Sequence, residues 1–133
     1  MISAGIKRKL YIDHIVITIG DIKRTTNFYS KILGDPDYSN QSSIMYHVGQ
    51  TKLFFTLPYV ISPVDNIFDA NRIGLEHFAL GIQTLDDLKE IEKNLDKNFI
   101  KNSGIHIDKH SGKEKIWLDD PDGIRLEFYI RPE

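Results

Sequence analysis

Two short segments of this chain share a pattern that can place histidines for chemistry: Ile12-Asp13-His14-Ile15 and Leu75-Glu76-His77-Phe78. Each reads apolar, acidic, histidine, apolar, then runs into alternating apolar positions and a polar helix start. The chain reads as two copies of one unit. Histidines at equivalent points of a duplicated fold can be brought together by pseudo-twofold symmetry, and a third ligand would complete a metal site. Glu127 is the candidate for that ligand.

Composition narrows the remaining chemistry. With 133 residues, the chain is long enough to build one ordinary hydrophobic core without disulfide help. Seventeen basic and nineteen acidic residues leave a net charge of -2, so nothing in the balance argues for nucleic acid or an anionic membrane. There is no cysteine, which removes thiol catalysis and zinc–thiolate clusters and leaves His, Asp and Glu as ligands. Met1 to Lys9 is not followed by an apolar run of signal-peptide type, and no apolar stretch approaches a membrane span. A soluble, cytoplasmic protein with a small-molecule partner is expected.

The elements that must position these side chains follow from periodicity. Leu10 to Ile19 reads as a buried strand, and Ile22, Thr25, Phe28, Tyr29, Ile32 and Leu33 recur at helical spacing. Asp21 can cap that helix and Gly34 can end it. A short strand near Tyr38 is followed by strands at Ile44 to Val48 and Lys52 to Leu57, joined at Gly49-Gln50. The second copy has a strand at Leu75 to Ile82 and a helix from Thr84, where Asp87 three residues on resembles a capping box. Strands then follow at Gly104 to Asp108, Lys115 to Leu118 and Ile124 to Ile130, with Asp120-Pro121-Asp122-Gly123 turning between the last two. The expected organisation is a single domain over 1–133: a first module at about 10–57, a linker at 58–73 and a second module at about 74–131.

Strand alternation gives the site its geometry. His14 shares a face with Ile12 and Val16, and His77 with Ala79 and Gly81, while the bulkier apolar rows are expected to pack on the helices. In the last strand Arg125, Glu127 and Tyr129 share the histidines' face. A carboxylate there is costly unless paired or metal-bound, so a salt bridge to a neighbouring Lys or Arg is the alternative to ligation. His47 and His106 lack a partner pattern and read as surface or hydrogen-bonded residues. Lys89, Glu90, Glu92 and Lys93 form the wet face of the second helix.

These residues carry a resemblance. Asp13-His14-Ile15-Val16-Ile17, Asn27-Phe28-Tyr29-Ser30-Lys31-Ile32-Leu33-Gly34, Glu76-His77-Phe78-Ala79 and Asp120 to Phe128 together resemble the vicinal oxygen chelate superfamily. That superfamily includes glyoxalase I, the fosfomycin- and bleomycin-resistance proteins and the extradiol ring-cleaving dioxygenases. The resemblance runs from Tyr11 to Tyr129. It implies an α+β fold of paired βαβββ modules forming an open cup around a divalent metal ion (Fe, Mn, Ni or Zn), with His14, His77 and Glu127 as ligands. Three departures matter. The place of glyoxalase I's fourth ligand holds Phe54. His110 matches a histidine near the metal in the extradiol signature, but Trp117 stands where that signature has a tyrosine. The chain also has one pair of modules, where many ring-cleaving enzymes have two.

The leading expectation is a metal-dependent enzyme that chelates a small oxygen-rich substrate through two adjacent oxygens, by lyase, isomerase, group-transfer or dioxygenase chemistry. His110 is the candidate catalytic acid or base, with a solvated loop residue as the rival reading, and Phe54, Trp117, Arg125 and Tyr129 are candidate substrate contacts, with a surface ion pair as the rival role for Arg125. The alternative is a metal-free small-molecule binding protein of the bleomycin-resistance kind, with Phe54, Phe55, Trp117 and Tyr129 as an aromatic wall. Open sheet edges lead to the expectation of a homodimer.

Overall fold

A computed structural model of the chain describes residues 5–60 and 66–131. The linker expected at 58–73 therefore lies in part outside the described residues. The chain divides into two compact units, Met1–Ser30 with Asp35–Ser62, and Lys31–Gly34 with Pro63–Glu133.

The first unit opens with a 3₁₀ turn at Ile6–Lys9, followed by β1 (His14–Thr18) and α1 (Ile22–Leu33). Then come β2 (Tyr38–Ser39), β3 (Ser43–Val48) and β4 (Thr51–Thr56). Its sheet has the order β1-β4-β3-β2, with β1 and β4 parallel and the other neighbours antiparallel. The Asp21 side chain accepts from the Arg24 amide at 2.9 Å and starts α1. Gly34, at φ 82°, ends it in the left-handed conformation that favours glycine. The core of this unit is Ile17, Ile19, Tyr29, Ile44, Tyr46, Leu53 and Phe55, all buried. Tyr29 ties helix to sheet by stacking on Phe55 at a 4.1 Å centroid distance.

The second unit repeats the plan with β5 (His77–Ile82), α2 (Leu85–Lys97), β6 (His106–Ile107), β7 (Glu114–Asp119) and β8 (Arg125–Ile130). Its order, β5-β8-β7-β6, and its parallel β5–β8 pair match the first unit. Each half is thus a βαβββ module, and neither sheet closes into a barrel. Thr84 caps α2, its hydroxyl accepting from the Asp87 amide at 3.1 Å. Leu88 and Leu95 of α2 are fully buried, as are Ile116, Leu118 and Leu126 on the sheet. α2 packs on β7 and β8 and covers one sheet face, the one opposite the odd-numbered residues of β5, β7 and β8.

One boundary differs from expectation. Leu10 to Ile12 reads as strand, yet β1 begins at His14 and these three residues are exposed. The reason lies in the partner strand. His14 pairs with Lys52, and two residues earlier β4 gives way to the Gly49-Gln50 turn, so the contact continues through Thr51 Oγ1 (to the Ile12 carbonyl, 2.6 Å) and the Lys52 amide (to the Asp13 carbonyl, 2.8 Å). Among the described residues no helix is long and apolar enough to cross a membrane.

Candidate functional site

The second unit gathers its polar side chains on the helix-free face of the sheet. Parallel pairing of β5 with β8 sets Ala79 beside Glu127, and antiparallel pairing of β7 with β8 sets Trp117 opposite Glu127 and Lys115 opposite Tyr129. The small Ala79 leaves room for Glu127 to reach His77. Glu127 Oε2 stands 2.7 Å from His77 Nε2, and the Glu127 side chain is only 6% exposed. The other imidazole nitrogen, Nδ1, is 2.8 Å from Glu76 Oε1. His77 is therefore held between two carboxylates, one on each ring nitrogen.

The same acid–histidine contact recurs in the first unit, where His14 Nδ1 lies 2.7 Å from Asp13 Oδ2. The hydrogen bond with His14 holds the Asp13 carboxyl below the usual carboxylate range, against the opposing effect of burial. In both modules the residue before the histidine contacts its ring at Nδ1, as outer carboxylates do for metal-binding imidazoles. The acids were visible as half of the repeated pattern, but their role on Nδ1 was not read from it.

Register also places Phe54. Val16 lies two residues after His14 and pairs with Phe54, just as Ala79 lies two residues after His77 and pairs with Glu127. Phe54 thus occupies in the first module the position of Glu127 in the second, and its ring packs edge-on to His14 at 6.1 Å.

A hollow of about 390 Å³ opens beside His77, bordered by Gly81, Asp108, His110, Tyr129 and Arg131. This is the size of a small-molecule site. A second hollow of about 270 Å³ lies on the other side of His77, bordered by Glu76, Asp119 and Arg125. Arg125 is engaged there. Its guanidinium meets Asp119 at 2.9 and 3.3 Å and stacks 3.7 Å from the centre of the Trp117 ring, which joins Trp117 and Arg125 in a cation–π pair.

Lys115 is the residue that sequence reasoning missed. Its ammonium contacts Glu127 Oε1 at 3.1 Å, the Tyr129 hydroxyl at 3.2 Å and Asp108 Oδ1 at 3.5 Å. Burial works to lower its pKa, but hydrogen bonds to Tyr129 and Glu127 outweigh that and hold it above the usual lysine value. Asp108 is held below the usual carboxylate range chiefly by the Ser111 amide, at 2.8 Å. Strand alternation alone could have placed Lys115 on the face of Trp117, two residues on, and so among the site residues.

The structure therefore brings together His77, Glu127 and Tyr129, sets His110 on the rim of the same hollow and Trp117 across from Glu127, and places His14 and Phe54 in the first unit. Among the described residues no group of three or more His, Asp or Glu side chains is assembled to hold a metal ion. His47 and His106 make local contacts, to Asp37 and to the Gly104 carbonyl.

Comparison with known proteins agrees with this architecture. The profile of the Glyoxalase/Bleomycin resistance protein/Dioxygenase superfamily matches residues 11–128. YaeR of Escherichia coli K12, described as an uncharacterized protein, is 28% identical over 127 residues, covering 89% of this chain and 94% of that protein. A trivalent organoarsenical cleaving enzyme from Bacillus sp. MD1 is 23% identical over 125 residues, covering 87% of this chain and 70% of the enzyme. Among solved structures, lactoylglutathione lyase from Agrobacterium tumefaciens superposes with a TM-score of 0.70 at 16% identity, covering 90% of this chain and 92% of the other, a likeness of fold. Duplicated βαβββ modules, an acid-supported histidine on the first strand of each, and a profile match across nearly the whole sequence lead to one conclusion: the chain belongs to the Glyoxalase/Bleomycin resistance protein/Dioxygenase superfamily.

Proposed function

We propose that the protein is a metal-dependent enzyme acting on a small oxygen-rich substrate, with His77 and Glu127 as two ligands of a divalent ion and His14 as the third. The observation that carries this reading is the approach of His77 Nε2 to Glu127 Oε2 at 2.7 Å while Nδ1 faces Glu76. If Nδ1 gives its hydrogen to Glu76, two lone pairs face each other, and a cation must satisfy both: a proton on the line between them, or a metal ion held by both. Imidazole and carboxylate suit first-row divalent metals, and the chain has no thiolate to favour softer ones. His14 comes from a matching acid–histidine pair, and the duplication of the modules supports its convergence with His77, in one chain or in a homodimer.

When bound, such an ion supplies Lewis-acid polarisation of two adjacent substrate oxygens. The chain's own residues do the rest. Glu76 and Asp13 keep the imidazoles oriented. His110, on the rim of the hollow beside His77, moves the proton. The Trp117 ring and Tyr129 wall the substrate, and Arg125, occupied by Asp119, stiffens that wall. The substrate of the organoarsenical-cleaving relative does not carry over readily, because trivalent arsenic is thiophilic and this chain has no cysteine to hold it.

A second reading has an observation of its own. Lys115 and His77 between them satisfy both Glu127 oxygens, so the cluster is complete as a polar network for a metal-free binding protein. Elemental analysis of protein purified without chelator, beside His77→Ala, separates the two. The enzyme reading expects a bound divalent metal in the wild type and its loss in the variant; metal-free wild-type protein that takes up none of iron, manganese, nickel or zinc would refute it.

A further inference from the structure

The functional reading gives Lys115 no task, yet few lysines are placed like this one. Lysine stems bury readily, but the ammonium normally stays in water. Here the side chain is 19% exposed and the head faces three oxygens, those of Glu127, Tyr129 and Asp108. Two of its three hydrogens are given to Glu127 and Tyr129, and Asp108 pairs with its charge at 3.5 Å. The Glu127 carboxylate is split as a result. Oε1 is taken by Lys115 at 3.1 Å, with the Tyr129 hydroxyl at 3.5 Å, while Oε2 alone faces His77 Nε2.

We infer that Lys115 is a positioning residue: it holds Oε1 of Glu127 away so that one carboxylate oxygen, not two, is presented beside His77. The inference rests on the metal-dependent reading above. A carboxylate bound through one oxygen leaves a coordination position that a two-oxygen carboxylate would fill, and a substrate chelating through two oxygens needs two such positions. Turning Glu127 to offer both oxygens would leave a largely buried ammonium short of a partner, which is costly. Asp108 holds Lys115 from the opposite side, its own carboxylate anchored by the Ser111 amide, so the ammonium cannot follow Glu127 toward the metal position.

A merely structural ion pair would affect stability and leave coordination alone, which gives the test. Wild type, Lys115→Met and Lys115→Arg are titrated with Co²⁺ by calorimetry, and the visible ligand-field spectrum is recorded for each. In Lys115→Met we expect Co²⁺ affinity to rise about 10-fold, because the carboxylate loses a competing cation and gains a second oxygen for the ion. The ligand-field bands should weaken as the freed carboxylate adds its second oxygen. Lys115→Arg, which keeps a cationic donor, should restore both toward wild type. A folded Lys115→Met with unchanged spectrum and affinity overturns the inference while leaving the metal reading intact; a wild type that takes up no Co²⁺ overturns both. If Lys115→Met does not fold, Lys115→Gln, uncharged and one atom shorter, is measured in the same way, and a spectrum and Co²⁺ affinity unchanged from wild type would overturn the inference in turn.

Discussion

Replacing Glu127 by glutamine tests the site at the atom that matters most, because the structure gives the amide a way to keep every hydrogen bond but not the charge. The glutamine carbonyl can accept from Lys115 where Oε1 now does, and its NH₂ can donate to His77 Nε2, provided that His77 gives its Nδ1 hydrogen to Glu76. The fold should therefore survive. The cost is the exchange of charge-assisted bonds for neutral ones, about 1 kcal/mol after allowing for Asp108, which still faces Lys115. For a chain of 133 residues that is a fall of about 4 °C in the unfolding midpoint.

Metal binding should respond far more strongly. A ligand that binds only the folded state at 100 times its Kd stabilises by about 2.7 kcal/mol, or roughly 10 °C here. If loss of the anionic ligand weakens binding about 100-fold, the same metal concentration stabilises Glu127→Gln by only about 0.4 kcal/mol, roughly 1 to 2 °C. Thermal unfolding of both proteins, with chelator and with saturating Mn²⁺ or Fe²⁺, reads the difference directly. Equal metal-induced shifts in the two proteins would show that Glu127 is no ligand, and a shift in neither would remove the metal from the account.

Two further outcomes follow from the scaffold around the site. Asp108 has its pKa lowered in the folded state, so its stabilising contribution is present above the unfolded value of about 4 and is lost as pH falls through the folded value. The gap in unfolding midpoint between wild type and Asp108→Asn should therefore be widest near neutral pH and close in acid; a gap independent of pH from 7 down to 2 would contradict it. Thr84→Ala removes the hydroxyl that caps α2 and should cost about 1 kcal/mol, or about 4 °C, with no change in metal affinity, and an unchanged midpoint by calorimetry would show that the cap contributes nothing.

What could be read in advance divides along a physical line. Elements set by local chemistry were legible: Asp21 and Thr84 at helix starts, Gly34 at a helix end, and Asp120-Pro121-Asp122-Gly123, where Asp120 Oδ1 accepts from the amides of Asp122 and Ile124 and Gly123 takes φ 85°. So was the side of the sheet on which His77 and Glu127 stand, because alternation along a strand is local too. The end of β1 was not legible, since Leu10 to Ile12 look as apolar as the strand proper and only the length of β4 denies them a partner. Nor were the partners of Lys115: alternation puts it on the site face, but what it contacts depends on which residue of β8 it meets.

That last case shows how the site's chemistry depends on register. A slip of one residue between β7 and β8 would turn Lys115 and Trp117 to the opposite face and leave Glu127 buried on this one with His77 and the Tyr129 hydroxyl but no lysine. The Asp120–Gly123 turn fixes that register by fixing the length of the loop, and its hydrogen bonds are made from Asp120, a buried carboxylate that contributes nothing to the site directly. The turn residues, which seem purely structural, thus decide whether the carboxylate beside His77 is held by a cation at one oxygen, and hence how many coordination positions a bound metal could offer to substrate.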